Sequence, residues 1–193
     1  SSQNNAASRV HVNLISSSIS SLSITDINYK VNIYDCFVGG TASFNNGTVI
    51  GSELSIININ NEIGVEVDTI KLIANEFEYL TYSNQIHNFE IKNNFVNKIT
   101  TSSSSGIYFE SLPNSIDKWG IIANNTIEFY YSSTSTSYAG IEIYFSGSEF
   151  GGLTIVNNYI HNNYNDNSYT IGFTQSVVPN TFIANNIGYT DFT

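Results

Sequence analysis

Ile155-Val156-Asn157-Asn158-Tyr159-Ile160 is the phrase on which the reading of this chain turns, because the sequence returns to it. The other copies are Ile73-Ala74-Asn75-Glu76-Phe77, Ile91-Lys92-Asn93-Asn94-Phe95, Ile122-Ala123-Asn124-Asn125-Thr126-Ile127 and Ile183-Ala184-Asn185-Asn186-Ile187. Weaker relatives precede them at 33–37 and 56–60. The first asparagines of the copies lie about 18, 31, 33 and 28 residues apart. Loops of different length inserted into a stack of repeats produce such an uneven period. A second phrase falls between the later copies, at Gly106-Ile107-Tyr108-Phe109, Gly140-Ile141-Glu142-Ile143-Tyr144-Phe145 and Thr170-Ile171-Gly172-Phe173.

In each Asn phrase the isoleucine, the first asparagine and the next apolar residue are two apart, so strand alternation places them on one face. Repeated once per turn of the chain, the apolar side chains stack into columns about 4.8 Å apart and make one long core. An inward asparagine is costly alone, but a column of them forms an amide ladder in which each satisfies the next. The expected ladder is Asn75, Asn93, Asn124, Asn157 and Asn185. The second asparagine then takes the bend, where its tolerance of the left-handed backbone is useful. Glu76 interrupts that second column.

Composition agrees with an extended chain. The 193 residues suit one domain with a continuous core, and charged residues make up 11%, under half the usual quarter. Ile, Val, Tyr, Phe and Thr outnumber the helix formers, so almost no helix is expected. The net charge of −10 opposes contact with a nucleic-acid backbone. Cys36 is the only cysteine, so no disulfide forms within the chain, and its apolar neighbours mark it as a core residue. No apolar run approaches the roughly 18 residues of a membrane helix. A surface rich in Asn, Ser, Thr and Tyr and nearly free of Lys points to an extracellular or cell-surface setting. A first residue of Ser1 rather than Met fits either a processed secreted protein or an excised piece.

These phrases resemble the repeat of the pectin-lyase-like superfamily, whose turns read approximately Gly-Ile-x-Ile, loop, Ile-x-Asn-Asn-x-Ile. The likeness covers residues 70 to 190 well and 20 to 70 loosely. It implies an all-β fold, a right-handed parallel β-helix (solenoid) with irregular loop insertions, over residues 31–193. Residues 1–30 lack the phrase and read as an N-terminal strand-like arm or first strands, with alternation at Val10–Ile15 and Ile19–Ile24. Segments 102–106, 132–138 and 162–168 read as exposed loops.

The likeness carries no activity with it, since the same scaffold hosts lyases, hydrolases, adhesins and structural proteins. Pectate lyases of this kind hold calcium in an Asp cluster with Arg and Lys near the sugar acid; here the only arginine, Arg9, lies outside the repeats. The adjacent Asp pair, Gly-His and Arg-x-Lys segments of polygalacturonases are also missing from the sequence. His11, His87 and His161 lack metal-ligand spacing, and no cofactor or metal motif is present. Glu62, Glu66 and Asp68, or the loop from Asn163 to Asn167, offer oxygen ligands without the spacing of a calcium loop.

One constellation remains. If Ile107 and Ile141 share a column, Tyr108 stands beside Glu142 and Glu110 beside Tyr144, a checkerboard of rings and acids suited to a sugar ring. Sequons at Asn46-Gly47-Thr48 and Asn124-Asn125-Thr126 make Asn46 and Asn124 candidate glycosylation sites. The expected function is an extracellular structural or adhesive protein that self-assembles into a filament or surface layer. Its contacts would be the solenoid ends, with Ile187–Phe192 an uncapped turn, and the arm, which would complete a neighbour's sheet. The alternative is a carbohydrate-active protein that binds or cleaves polysaccharide.

Overall fold

The computed structural model describes residues 10–26, 29–60, 69–83, 88–98, 105–110, 112, 114–129, 139–162, 169–175 and 178–190. Among these there is no helix. The chain advances in eight tiers. β1 (Val10–Ile15) leads to β2 (Ser18–Ile19) and β3 (Leu22–Ile24); β4 (Tyr29–Tyr34) to β5 (Phe37–Phe44); β6 (Gly47–Ile50) to β7 (Glu53–Ile59). β8 (Thr69–Ile73) leads to β9 (Glu76–Tyr82), and β10 (Asn88–Lys92) to β11 (Phe95–Lys98) and β12 (Ile107–Phe109). β13 (Ser115–Ala123) leads to β14 (Thr126–Phe129) and β15 (Ala139–Phe145). β16 (Phe150–Val156) leads to β17 (Tyr159–Asn162) and β18 (Tyr169–Gln175), and β19 (Thr181–Ala184) to β20 (Ile187–Thr190).

The first strand of every tier joins one eight-stranded sheet in the order β1-β4-β6-β8-β10-β13-β16-β19. The remaining strands form a twelve-stranded sheet, in which β2 and β3 lie on β5, followed by β7 and β9. Beyond the long strand β9 this sheet divides: β11, β14, β17 and β20 continue from its start, and β12, β15 and β18 from its end. Neighbouring strands are parallel throughout, from β1 on β4 to β17 on β20. The expected arm is therefore a tier of its own. Val10–Ile15 is already hydrogen-bonded in register to Tyr29–Tyr34, and Leu22–Ile24 to Ala42–Phe44.

The core between the sheets is columnar. Ile33, Val49, Leu72, Ile91, Ile122 and Ile155 stack from tier to tier and are buried, facing Val38, Leu54, Phe77, Val96, Ile127 and Ile160 across the corner. Tyr82, Phe89 and Phe109 form a ring trio with centroids 4.8 to 5.1 Å apart. Gly120 gives that trio its space, since a Cβ there would stand 2.0 Å from the Phe89 ring.

Each tier turns from one sheet to the other through a single residue in the left-handed region. These residues are Ser16, Asp35, Gly51, Ala74, Asn93, Asn124, Asn157 and Asn185, with φ between 47° and 64°. This corrects the expected assignment of the paired asparagines. Asn93, Asn124, Asn157 and Asn185 are exposed corner residues, and the ladder is built by the second of each pair. Asn75 Nδ2 donates to Asn94 Oδ1 at 3.0 Å, Asn94 to Asn125 at 3.0 Å, Asn125 to Asn158 at 2.9 Å and Asn158 to Asn186 at 2.8 Å. Of the expected ladder only Asn75 stands in it. Simple alternation fails because a left-handed residue bends the chain from one sheet into the other and resets which side chain points inward. Strand pairing then aligns Leu72, rather than Ile73, with Ile91.

The column runs further than the asparagines. Ser52 donates its backbone N–H to Asn75 Oδ1 at 3.0 Å, and Cys36 N–H donates to Ser52 Oγ at 3.0 Å. Ser17 stands at the same place one tier earlier. The weak relative expected at 56–60 is the interior of β7, and the true corner of that tier is Gly51-Ser52.

Candidate functional site

The four residues of the aromatic and acidic checkerboard lie on the branch of the second sheet formed by β12, β15 and β18. Pairing sets Ile107 against Ile141, Tyr108 against Glu142, and Tyr144 against Thr174. Ile107, Phe109, Ile141, Ile143 and Phe145 point into the core, which turns Tyr108, Glu142 and Tyr144 outward by alternation. Glu110 is exposed just past the end of β12 and is held by its N–H donating to Tyr82 O at 2.9 Å.

Electrostatics ties the four together. Partial burial raises the Tyr108 phenol above its ordinary range, and the charges of Glu142 and Glu110 and the neighbouring Tyr144 raise it further. The phenol thus holds its proton to higher pH than a free tyrosine and keeps its O–H available as a donor. Glu142 is fixed by a donor on each oxygen: Ser105 Oγ to Oε2 at 2.5 Å and Thr174 Oγ1 to Oε1 at 3.4 Å. Ser105 is fully buried and in turn accepts the Ala139 N–H at 3.2 Å. Ser105 and Gly106 belong to a segment expected to be an exposed loop, and both are buried. Residues 102–104, 132–138 and 163–168 lie outside the described residues, as do His87, Glu62, Glu66, Asp68 and Asn163 to Asn167.

The chemistry of this arrangement is that of a contact surface. It offers two partly exposed rings, two carboxylates, one of them immobilised, and the Thr174 hydroxyl. Such a set can hydrogen-bond vicinal hydroxyls and stack on the apolar face of a ring. Among the described residues no group of three or more His, Cys, Asp or Glu is close enough to hold a metal ion. His11 is exposed, and His161 packs 6.4 Å from Tyr159, centroid to centroid.

The sequons separate. Asn46, expected in a turn able to carry sugar, is fully buried, and both of its amide atoms lie inside the protein without a partner among the described residues. Asn124 is exposed at its corner, because Asn125 and not Asn124 occupies the ladder.

A second outward feature escaped sequence reading. Phe37, Glu53, Glu76 and Phe95 form one outward column over β5, β7, β9 and β11. Phe37, Glu53, Glu76, Glu78 and Asn97 line a hollow of about 290 Å3. Across the corner, Lys30, Tyr34, Thr48, Ile50, Thr69 and Lys71 line another, of about 390 Å3. The signal was the alignment of Gly51-Ser52-Glu53 with Ala74-Asn75-Glu76, invisible while the ladder was read one residue early.

Among the described residues no helix is long and apolar enough to cross a membrane. Comparison of the chain with family models, with curated proteins and with solved structures gives no match.

Proposed function

We propose that the chain winds as a right-handed parallel β-helix and serves as an extracellular structural or adhesive protein, a subunit that stacks into a filament or surface layer. The winding is supported by the strict return of each tier to the same two parallel sheets, and the hand by the strong preference of parallel crossovers for right-handedness. The extracellular setting is supported by the Asn, Ser, Thr and Tyr-rich composition.

The observation that carries stacking is the sameness of the corner. In each tier the corner residue's N–H donates to a carbonyl of the next tier, as Ser16 does to Tyr34 O at 2.9 Å and Asn157 to Ala184 O at 3.2 Å. The following strand returns a bond, as Phe37 N–H does to Ser17 O at 2.9 Å and Ile187 N–H to Asn158 O at 2.8 Å. The column N–H donates to the next side-chain oxygen, from Cys36 onto Ser52 Oγ through Asn158 onto Asn186 Oδ1. Ser17 Oγ donates to Ile15 O at 2.8 Å, just as Ser52 Oγ donates to Ile50 O while accepting from Cys36. A second copy placed with its Ser17 tier on the Asn186 tier would repeat all three bonds. Val10 and Ile15 at one margin, and Phe182, Ile183 and Ile187 at the other, are 46–62% exposed and would be covered. This replaces strand donation by a free arm, because β1 is paired within its own chain.

Sedimentation over a concentration range, with electron microscopy of the same samples, tests the proposal. Concentration-dependent filaments one tier-stack wide are expected; a monomer at every concentration overturns it, the outcome required if further tiers of a longer polypeptide occupy the margins. The checkerboard favours a second reading, polysaccharide contact. A glycan array should then show binding by the parent that Glu110→Gln with Glu142→Gln weakens, and no retained glycan removes that reading.

A further inference from the structure

The two hollows differ in charge, and the difference extends over both sheets. Strands of the eight-stranded sheet carry Lys30, Lys71, Lys92 and Lys118 against Glu90 and Asp117. Strands of the twelve-stranded sheet carry Glu53, Glu76, Glu78, Glu128 and Glu142 against Lys98. Among the described strands, cations thus outnumber anions on one side of the corner, although Lys118 is buried, and anions outnumber cations on the other.

At the two hollows the separation becomes local. Glu90, the acid beside Lys71 in register, is engaged by Lys92 at 3.0 Å. Lys71 therefore stands, with Lys30, at the rim of a hollow whose other lining is Thr48, Thr69, Tyr34 and Ile50. On the other face Glu53 lies directly opposite Glu76, a like-charge pairing that disfavours a sheet. No ion pair engages either one among the described residues. Phe37, 47% exposed, ends that acidic column and lines the same hollow, its ring close against Gly39. A face of carboxylates with one exposed ring thus stands opposite in charge to a hydroxyl-rich hollow bordered by Lys30 and Lys71 on the other.

We infer that the acidic face of one copy, centred on Phe37, Glu53 and Glu76, docks sideways on the Lys30–Lys71 hollow of a second copy of the same chain. The contact uses two different surfaces, so it propagates from copy to copy instead of closing a pair. Each ion pair at such a surface is weak, but a stack presents the same contact at every subunit and multiplies it. The inference deepens the assembly reading above, adding side-by-side order to end-to-end stacking, and does not use the margins of the tiers.

Zero-length carbodiimide cross-linking of the full chain tests it, with isotope-labelled and unlabelled copies mixed so that links between copies are told apart by mass. Links from Lys71 or Lys30 to Glu53, Glu76 or Glu78 are expected between copies. They should fall severalfold in 1 M salt, where screening shortens to about 3 Å. Lys71→Glu and Glu76→Lys should each lose the link, and a mixture of the two variants should regain it, both between the native Glu76 of one variant and the native Lys71 of the other and with the ends exchanged. Absence of such links, or links indifferent to salt and to both reversals, overturns the inference. Single filaments without side-by-side links would sink this contact and leave stacking intact; side-by-side links without filaments would do the reverse.

Discussion

The column at the corner is made differently in its two parts. In the first three tiers it is Ser17, Cys36 and Ser52, and in the last five it is Asn75, Asn94, Asn125, Asn158 and Asn186. The backbone scarcely registers the change: φ is 47°, 50° and 64° at the corners of the first group and 54° to 57° in the second. What changes is reach. Ser52 Oγ accepts from the tier below and donates within its own tier. Asn125 Oδ1 accepts both Asn94 N–H and Asn94 Nδ2–H, while Asn125 Nδ2 donates down to Ile91 O and up to Asn158 Oδ1. An amide fastens three tiers where a hydroxyl fastens two. The left-handed corner therefore makes a tier, and the column side chain sets how firmly tiers are held together.

The largest expected effect follows from that difference. Asn125→Ala leaves the Asn94 N–H buried without a partner, halves the bonds of Asn94 Nδ2, which keeps Leu72 O, and removes the side-chain donors to Ile91 O and Asn158 Oδ1, at about 1–3 kcal/mol for the stranded N–H and about 1 kcal/mol for each further bond lost. A loss of roughly 4 kcal/mol, or a fall in Tm of about 10 °C for a chain of this size, is expected in a thermal melt. Ser52→Ala strands only the Cys36 N–H and should cost about 1–2 kcal/mol. Equal losses from the two substitutions would erase the distinction between the two parts of the column.

This division also governs what could be read beforehand. The all-strand character, the parallel stacking of the Ile107 and Ile141 phrases and the facing of Tyr108 with Glu142 were legible, because period-two alternation holds inside a strand. The ladder was read one residue early, because alternation was carried across a corner where Asn124 takes φ 57°. Paired asparagines conceal the error, since either one fits either place chemically. In the first tiers the error became omission: Gly51-Ser52 and Ser16-Ser17 share the corner geometry but none of the asparagine letters. Burial of Asn46 was beyond reach for a related reason, as its Asn-Gly sequence signals a turn and is silent about the chain that packs over it. Ser105, the partner that fixes Glu142, lay hidden in a run of serines.

Neighbouring asparagines sharpen the contrast on a smaller scale. Asn157 is exposed at its corner with φ 56°, while Asn158 is buried in the ladder. Asn158→Ala should behave like the Asn125 variant. Asn157→Ala should cost only about 0.5–1 kcal/mol, the price of seating a Cβ without a helpful amide in the left-handed region. Ala74 already has that strain, at φ 55° on an exposed corner, so Ala74→Asn should raise Tm by about 1–3 °C. A larger loss at Asn157 than at Asn158 would restore the original ladder assignment.

The smallest effect concerns the divided part of the second sheet, where two tyrosines are raised for different reasons. Tyr82 is wholly buried in the ring trio, and burial alone drives its phenol far above the ordinary value of 10.0. Tyr108 is raised first by partial burial, then by Glu142, then by Glu110 and Tyr144. A phenol raised in the folded state keeps its proton there while the unfolded chain gives it up. The stability it contributes is thus full below the unfolded value of 10.0 and is lost as pH climbs from there through the folded value. Glu142→Gln removes the second cause and keeps the first, so Tyr108 should titrate lower than in the parent yet still above 10.0. Tyr82 should not move, which makes it the internal control. Carbon-detected NMR of the tyrosine Cζ signals between neutral and alkaline pH reads both residues in one sample. A Tyr108 titration unchanged by Glu142→Gln would separate the two side chains and dissolve the checkerboard as a unit; a lowered one, with a smaller step for Glu110→Gln, would fix the order of influence around the ring.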